Sequence, residues 1–126
     1  MGYVFYNANP AGLREGDCVI RALSKVMNMS GDDVAIDLSM MMVMKKRIVT
    51  SNVLWGEYLE MNGFKRRGLP DTCPLCLTIE DFARDNPVGT FVVCTGSHVV
   101  AVINGSYYDI FDSGQEVATY YFEKMR

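Results

Sequence analysis

Histidine is nearly missing from this chain: among 126 residues only His98 is one. Any chemistry that needs an imidazole, as general base or as metal ligand, therefore has a single address. Long apolar runs are missing too. No stretch approaches the ~18 residues of a membrane span, and residues 1–15 lack the apolar core of a signal peptide, so a cytoplasmic location away from membranes is expected. Cysteine is limited to Cys18, Cys73, Cys76 and Cys94, which in such a compartment read as reduced thiols rather than a disulfide framework. Positive charge is in deficit, with a net charge of −3, so a nucleic-acid partner is not expected. The one basic cluster, Lys45-Lys46-Arg47, reads as the last turn of a helix, where cations meet the negative end of the dipole. Gly-rich phosphate loops, H-E-x-x-H and G-x-S-x-G are absent, and no two carboxylates are brought together by spacing alone. Neither a metal nor a cofactor is expected. With no repeat or linker either, the chain reads as one domain over residues 1–126, large enough for one core but not two.

The periodicity changes halfway. Tyr3-Val4-Phe5-Tyr6 reads as a short strand, and Asn9-Pro10 with Gly12 as a loop. Helices are then predicted over 18–28, from about 31 to 46, and after Thr50-Ser51 as far as Asn62-Gly63, each with apolar positions returning at three and four. Ser30 with Asp33 resembles a helix start. Trp55 should pack between helices, and the methionines of Met40-Met41-Met42 and Met44 should fill core gaps. Phe64 to Leu77 reads as loop, because Pro70, Asp71 and Pro74 interrupt it. Thr78-Ile79-Glu80-Asp81 opens a short fourth helix. From Thr90 onward four strands are predicted, over 90–94, 98–103, 107–111 and 116–122, with Asn104-Gly105 as the strongest hairpin signal. The expected fold is α+β: a mainly helical half, 1–88, packed on an antiparallel sheet half, 89–126.

Cys18 sits where the loop Glu15-Gly16-Asp17 meets the first helix. Helix starts carry unpaired N–H groups and partial positive charge, and both favour thiolate over thiol. A lone cysteine is more often a small buried hydrophobe, and a lone histidine more often structural. Together the two suggest a nucleophile and its base, provided a third group orients the imidazole. That group would be Asp109 or Asp112, and the register decides between them. A two-residue loop at Asn104-Gly105 pairs Ile103 with Ser106, which sets His98 opposite Phe111 and Asp109 diagonal to it on the same side. A three-residue loop sets His98 directly opposite Asp112. Asp17 reads first as an acceptor for the helix's own N–H groups.

Gly16-Asp17-Cys18 at a helix start, a late strand opened by His98, and Phe111-Asp112-Ser113-Gly114 after one hairpin resemble the papain-like cysteine peptidases. The layout is similar to the compact leader-cleaving peptidase domains of bacteriocin exporters, and to small papain-like proteins of phages and their bacterial hosts. The resemblance spans nearly the whole chain through short motifs. It implies a papain-like fold with Cys18 as nucleophile, His98 as base and Asp112 as orienting acid, acting on a peptide or protein substrate. Asp112 is therefore the expected third member, with Asp109 as runner-up. One departure stands out. The family usually carries an oxyanion-binding glutamine shortly before the cysteine, where this chain has Gly12. The backbone N–H of Cys18 remains, and Asn9 or Asn7 is expected to supply the second donor.

Two other classes compete. Without the glutamine, the fold could serve as a binding or inhibitory module. Alternatively Cys73-Pro74-Leu75-Cys76, half of a zinc site by spacing, could recruit Cys94 and His98. Cys94, however, continues the apolar run Phe91-Val92-Val93 and reads as sheet core. A redox role for the Cys-x-x-Cys pair lacks a βαβ context.

Overall fold

Two stretches of the second half, Thr90–Cys94 and Val99–Ile103, are apolar at almost every position. Successive strand side chains point to opposite faces, so both faces of a sheet built on these strands must be covered. The computed structural model, which describes residues 2–49, 51–70 and 74–125, has that architecture. In chain order the elements are β1 (Gly2–Phe5), α1 (Cys18–Met27), α2 (Gly31–Lys45), α3 (Asn52–Met61), β2 (Phe64–Gly68), α4 (Ile79–Asp85), β3 (Thr90–Cys94), β4 (Val99–Ile103), β5 (Ser106–Asp109) and β6 (Tyr120–Lys124). Val92, Cys94, Val99 and Ala101 join Leu23, Leu38, Leu54 and Trp55 under α1, α2 and α3. Phe91, Val93, Val100 and Val102 join Ile79, Phe82 and Ala83 of α4 on the other face. The expected single core is thus two clusters separated by one sheet.

The strands form a mixed sheet in the order β1-β5-β4-β3-β6-β2. All pairings are antiparallel except β1 with β5, which is parallel. This corrects the expectation of an antiparallel sheet confined to residues 89–126, since both edge strands come from the first half. β2 escaped notice because its sequence, Phe-Lys-Arg-Arg-Gly, buries only Phe64 fully. Exposed cations of this kind are common on edge strands, where they discourage pairing with another chain. β6 starts later than predicted because the preceding segment serves α4. Gly114 and Glu116 carbonyls accept the N–H groups of Glu80 and Ile79, and Ala118 N–H donates to Leu77.

Local signals mostly hold. The Ser30 hydroxyl accepts the Asp33 N–H at 3.1 Å, and Thr78 with Asp81 forms a complete capping box. Of the predicted cap Thr50-Ser51, Thr50 lies outside the described residues, and Ser51 takes the N-cap position without a side-chain bond. Trp55 packs on Phe122 of β6, with ring centres 5.5 Å apart, so it meets the sheet rather than lying between helices alone. The methionines divide: Met41 is buried, while Met40 and Met44 face out, the latter 77% exposed. Among the described residues no helix is long and apolar enough to cross a membrane.

The turn between β4 and β5 sets the register of the hairpin. Asn104 and Gly105 both adopt left-handed backbone, with φ of 49° and 83°, and Ile103 pairs with Ser106. This is the two-residue hairpin that the twist of paired strands favours. Gly105→Ala should cost about 1 kcal/mol, because a Cβ strains left-handed backbone. We expect calorimetry to show a melting point lower by about 3–5 °C.

Candidate functional site

The nucleophile candidate stands on the first residue of α1. Asp17 occupies the N-cap position but makes no side-chain cap bond. Its carboxylate instead accepts from Arg21 Nη1 at 2.8 Å, which corrects the capping role expected for it. The N–H groups of the first helical turn, which have no acceptor within the helix, are therefore left uncapped beside the Cys18 thiol.

His98 is held by a tight connection between β3 and β4. Its N–H donates to Thr95 Oγ1 at 3.0 Å, and its carbonyl accepts the Thr95 N–H at 2.8 Å. Nε2 meets Asp109 Oδ2 at 2.6 Å, and the ring shares one cleft wall with the Cys18 thiol and Val99, close enough for the thiol and the imidazole to shift each other's titration. Phe111 lies against the imidazole with ring centres 5.3 Å apart.

The structure thus brings Cys18 and His98 together, but with Asp109 rather than Asp112. Asp112 turns away: its Oδ1 accepts from the Tyr107 hydroxyl at 2.7 Å and the Gly114 N–H at 3.0 Å. The reason is the two-residue turn. With Ala101 opposite Tyr108, His98 falls opposite Phe111, and Asp109 shares its face of the sheet. Asp109 is 0% exposed, and each of its oxygens has two partners. Oδ1 takes the Ile110 N–H at 2.8 Å and Arg21 Nε at 3.1 Å. Oδ2 takes the Ser113 hydroxyl at 2.8 Å in addition to His98.

Asn9 and Asn7 do not serve as expected. Asn9 Oδ1 accepts the Ala11 N–H at 2.8 Å, the Asn7 amide donates to the Leu13 carbonyl at 3.0 Å, and neither residue lines the cleft beside Cys18. Both side chains are used to build their own loop.

The electrostatics favour separated charges. Burial pushes the Cys18 thiol up, but hydrogen bonds from His98 and the Val99 N–H, with the positive charge of His98 and Arg21, bring it below its ordinary value. Burial opposes charge on His98 as well, yet the bonds to Asp109 and Cys18 prevail and its pKa rises to about 9. Burial also works against the Asp109 carboxylate, which His98 and Ser113 nevertheless hold below the usual carboxylate value. Since the His98 value lies above the ordinary imidazole value of 6.5, its charge stabilises the fold fully below that pH. The contribution fades as pH rises through about 9.

A cleft of about 390 Å³ opens at the pair. Val19 and Ile20 of α1, Leu38 of α2, Trp55 of α3 and Tyr120 of β6 give it an apolar lining, with Thr95 and Ser97 at the histidine side. Its only carboxylate among the described residues, Asp17, is engaged by Arg21. The cleft can therefore accept a neutral, largely apolar segment next to the thiolate.

Cys73, the first ligand of the alternative zinc set, lies outside the described residues. Cys94 is fully buried in the core, and burial pushes its thiol up to about 12. The His98 ring is committed to Asp109 and Cys18. Among the described residues no three metal-ligating side chains cluster.

Arg21 and Ser113 were missed by sequence reasoning. The signal for Arg21 was a charged residue flanked by Ile20 and Ala22 inside an apolar stripe, one turn after Asp17. Ser113 carried no local signal, since only the bend after β5 turns it back to Asp109. In comparison with known proteins, no family model, no curated protein and no solved structure matches this chain.

Proposed function

We propose that this protein is a papain-like cysteine peptidase or amidase, cleaving a peptide or isopeptide bond by acyl transfer through Cys18. The observation that carries this reading is that Cys18 and His98 line one apolar cleft, with the imidazole bonded from behind by buried Asp109 at 2.6 Å. A thiolate, a proton carrier and an orienting carboxylate are what nucleophilic cysteine catalysis requires.

The steps follow from the contacts. The Cys18 thiolate attacks the substrate carbonyl carbon, forming an S–C bond while the carbonyl π pair moves to oxygen. The first-turn N–H groups of α1, uncapped by Asp17, face the developing oxyanion. As the tetrahedral adduct collapses, the C–N bond breaks and His98 gives its proton to the departing amine. Water then attacks the thioester, and His98 takes its proton. The C–S bond breaks, the acid leaves and the thiolate–imidazolium pair returns. Asp109 holds the ring throughout and keeps its own charge.

A binding or inhibitory module is the second reading. The observation favouring it is that Asn9, the side chain expected to complete the oxyanion site, is bonded within its own loop. A mixed peptide library, with products read by mass spectrometry, separates the two. We expect cleavage after segments with an apolar residue for the cleft, an acid-quenched acyl adduct on Cys18, and neither with Cys18→Ala. Labelling of Cys18 by a peptidyl acyloxymethyl ketone without any turnover would favour the binding module. Failure of both labelling and turnover would reject the enzyme.

A further inference from the structure

We propose that Arg21 is a positioning residue: its guanidinium fixes the Asp109 carboxylate against His98 and locks the nucleophile helix to the strand that carries Asp109. This rests on the acyl-transfer reading and extends it to a residue that acts through Asp109 rather than on the reacting atoms.

Arg21 is 3% exposed on the face of α1 that meets the sheet, and Asp109 is 0% exposed. Charged side chains are almost never buried so deeply without partners. A buried pair also gains little over an apolar pair of the same size, because both ions lose water. What a guanidinium adds is direction, since its planar fork presents donors at fixed angles. Here the fork is divided. Nε meets Asp109 Oδ1 at 3.1 Å, and Nη1 meets Asp17 Oδ1 at 2.8 Å. One arm is anchored at the start of the arginine's own helix, and the other reaches across to β5.

The consequence for Asp109 can be read atom by atom. Oδ1 is held by the Ile110 N–H and Arg21, which leaves Oδ2 for His98 and Ser113. Take Arg21 away and Oδ1 keeps a single donor, from the residue next in the chain. The carboxylate can then turn about its Cβ–Cγ bond, and the 2.6 Å contact to His98 Nε2 is no longer fixed from behind. Arg21 also lies about one helical turn from Cys18 on α1. The grip that sets Asp109 therefore sets where the sulfur stands relative to the imidazole.

The charges alternate along the whole path: Asp17, Arg21, Asp109, His98, Cys18. The path begins and ends on adjacent residues at the start of α1. Lys25, the other cation of that helix, lies over the Tyr6 and Tyr108 rings instead. Ser113 donates its hydroxyl to the other oxygen of Asp109.

The test exploits the single histidine, whose ring carbon-bound protons give an unambiguous NMR titration. Arg21→Lys keeps the charge and removes the fork. We expect a lower His98 midpoint and alkylation of Cys18 by iodoacetamide at pH 6 slowed about fivefold, the scale of one hydrogen bond's net contribution. Asp17→Asn, at the more exposed end of the network, releases the other arm. It should shift both readouts in the same direction by less. A role limited to charge or to stability leaves the His98 midpoint of folded Arg21→Lys unchanged, and that result overturns the inference. If Arg21→Lys fails to fold, an unchanged midpoint in Asp17→Asn overturns it. Wild-type Cys18 that resists alkylation at pH 6 would instead count against the acyl-transfer reading itself.

Discussion

His98→Ala should slow peptide hydrolysis by about 10⁴-fold or more, yet slow iodoacetamide alkylation of Cys18 at pH 6 only about tenfold. The two numbers differ because the two reactions ask for different things. Alkylation needs a thiolate and nothing else. At pH 6 an ordinary thiol with a pKa near ~8.5 is ionised to roughly one part in 300. His98 and Val99 outweigh the burial of Cys18 and lower its value, which raises that fraction. Part of the gain is cancelled, since a thiolate of lower pKa is a weaker nucleophile, and about tenfold remains. Hydrolysis also needs a proton delivered to the amine and taken from water, and this chain has no other imidazole to carry it. Stopped-flow alkylation alongside kcat/KM on a peptide substrate measures both. Equal losses in the two assays would mean that His98 only perturbs the thiol.

Asp109→Asn should cost about 10³–10⁴-fold in kcat, whereas Asp112→Asn should leave kcat within about twofold. An amide at 109 presents either an N–H₂ or a neutral oxygen to His98 Nε2. The first forces the wrong tautomer, and the second no longer stabilises the imidazolium. The same substitution takes from Arg21, a buried cation on α1, the buried one of its two carboxylate partners and leaves it Asp17. Removing one member of such a pair costs about 3–5 kcal/mol. A large fall in melting temperature should therefore accompany the loss of activity. Asp112 is exposed and serves the Tyr107 hydroxyl and the Gly114 N–H. Its loss should show in stability alone, by about 1 kcal/mol. Steady-state kinetics with thermal melts on both variants check this. Loss of activity in Asp112→Asn with Asp109→Asn unaffected would reverse the assignment.

What the sequence made legible was local chemistry. Asp17-Cys18 as a helix start, Ser30 and Thr78 as caps, and Asn104-Gly105 as a tight turn all depend on a few neighbouring residues, and the structure keeps each of them. The choice between Asp109 and Asp112 was also within reach. The turn dipeptide favoured the register that the structure adopts, and the family layout pointed the other way. The rest depended on contacts distant in sequence. β2 carries three cations in five residues and becomes a strand only because β6 lies beside it. β1 reaches β5 across more than a hundred residues of sequence, a parallel pairing that no local pattern encodes. Arg21 looked like an interruption of an apolar stripe, and only the approach of β5 makes it a partner of Asp109.

The most direct test of the Cys18–His98 pair is the pH dependence of Cys18 alkylation. Thiolate forms as pH rises through the lowered Cys18 value, while His98 keeps its proton until about 9. Between those points both groups are charged. We expect the first rise in rate to fall below the ~8.5 of an isolated thiol, and a second change near pH 9 as the imidazolium is lost. A single step at or above ~8.5, as for an isolated thiol, would contradict the pairing.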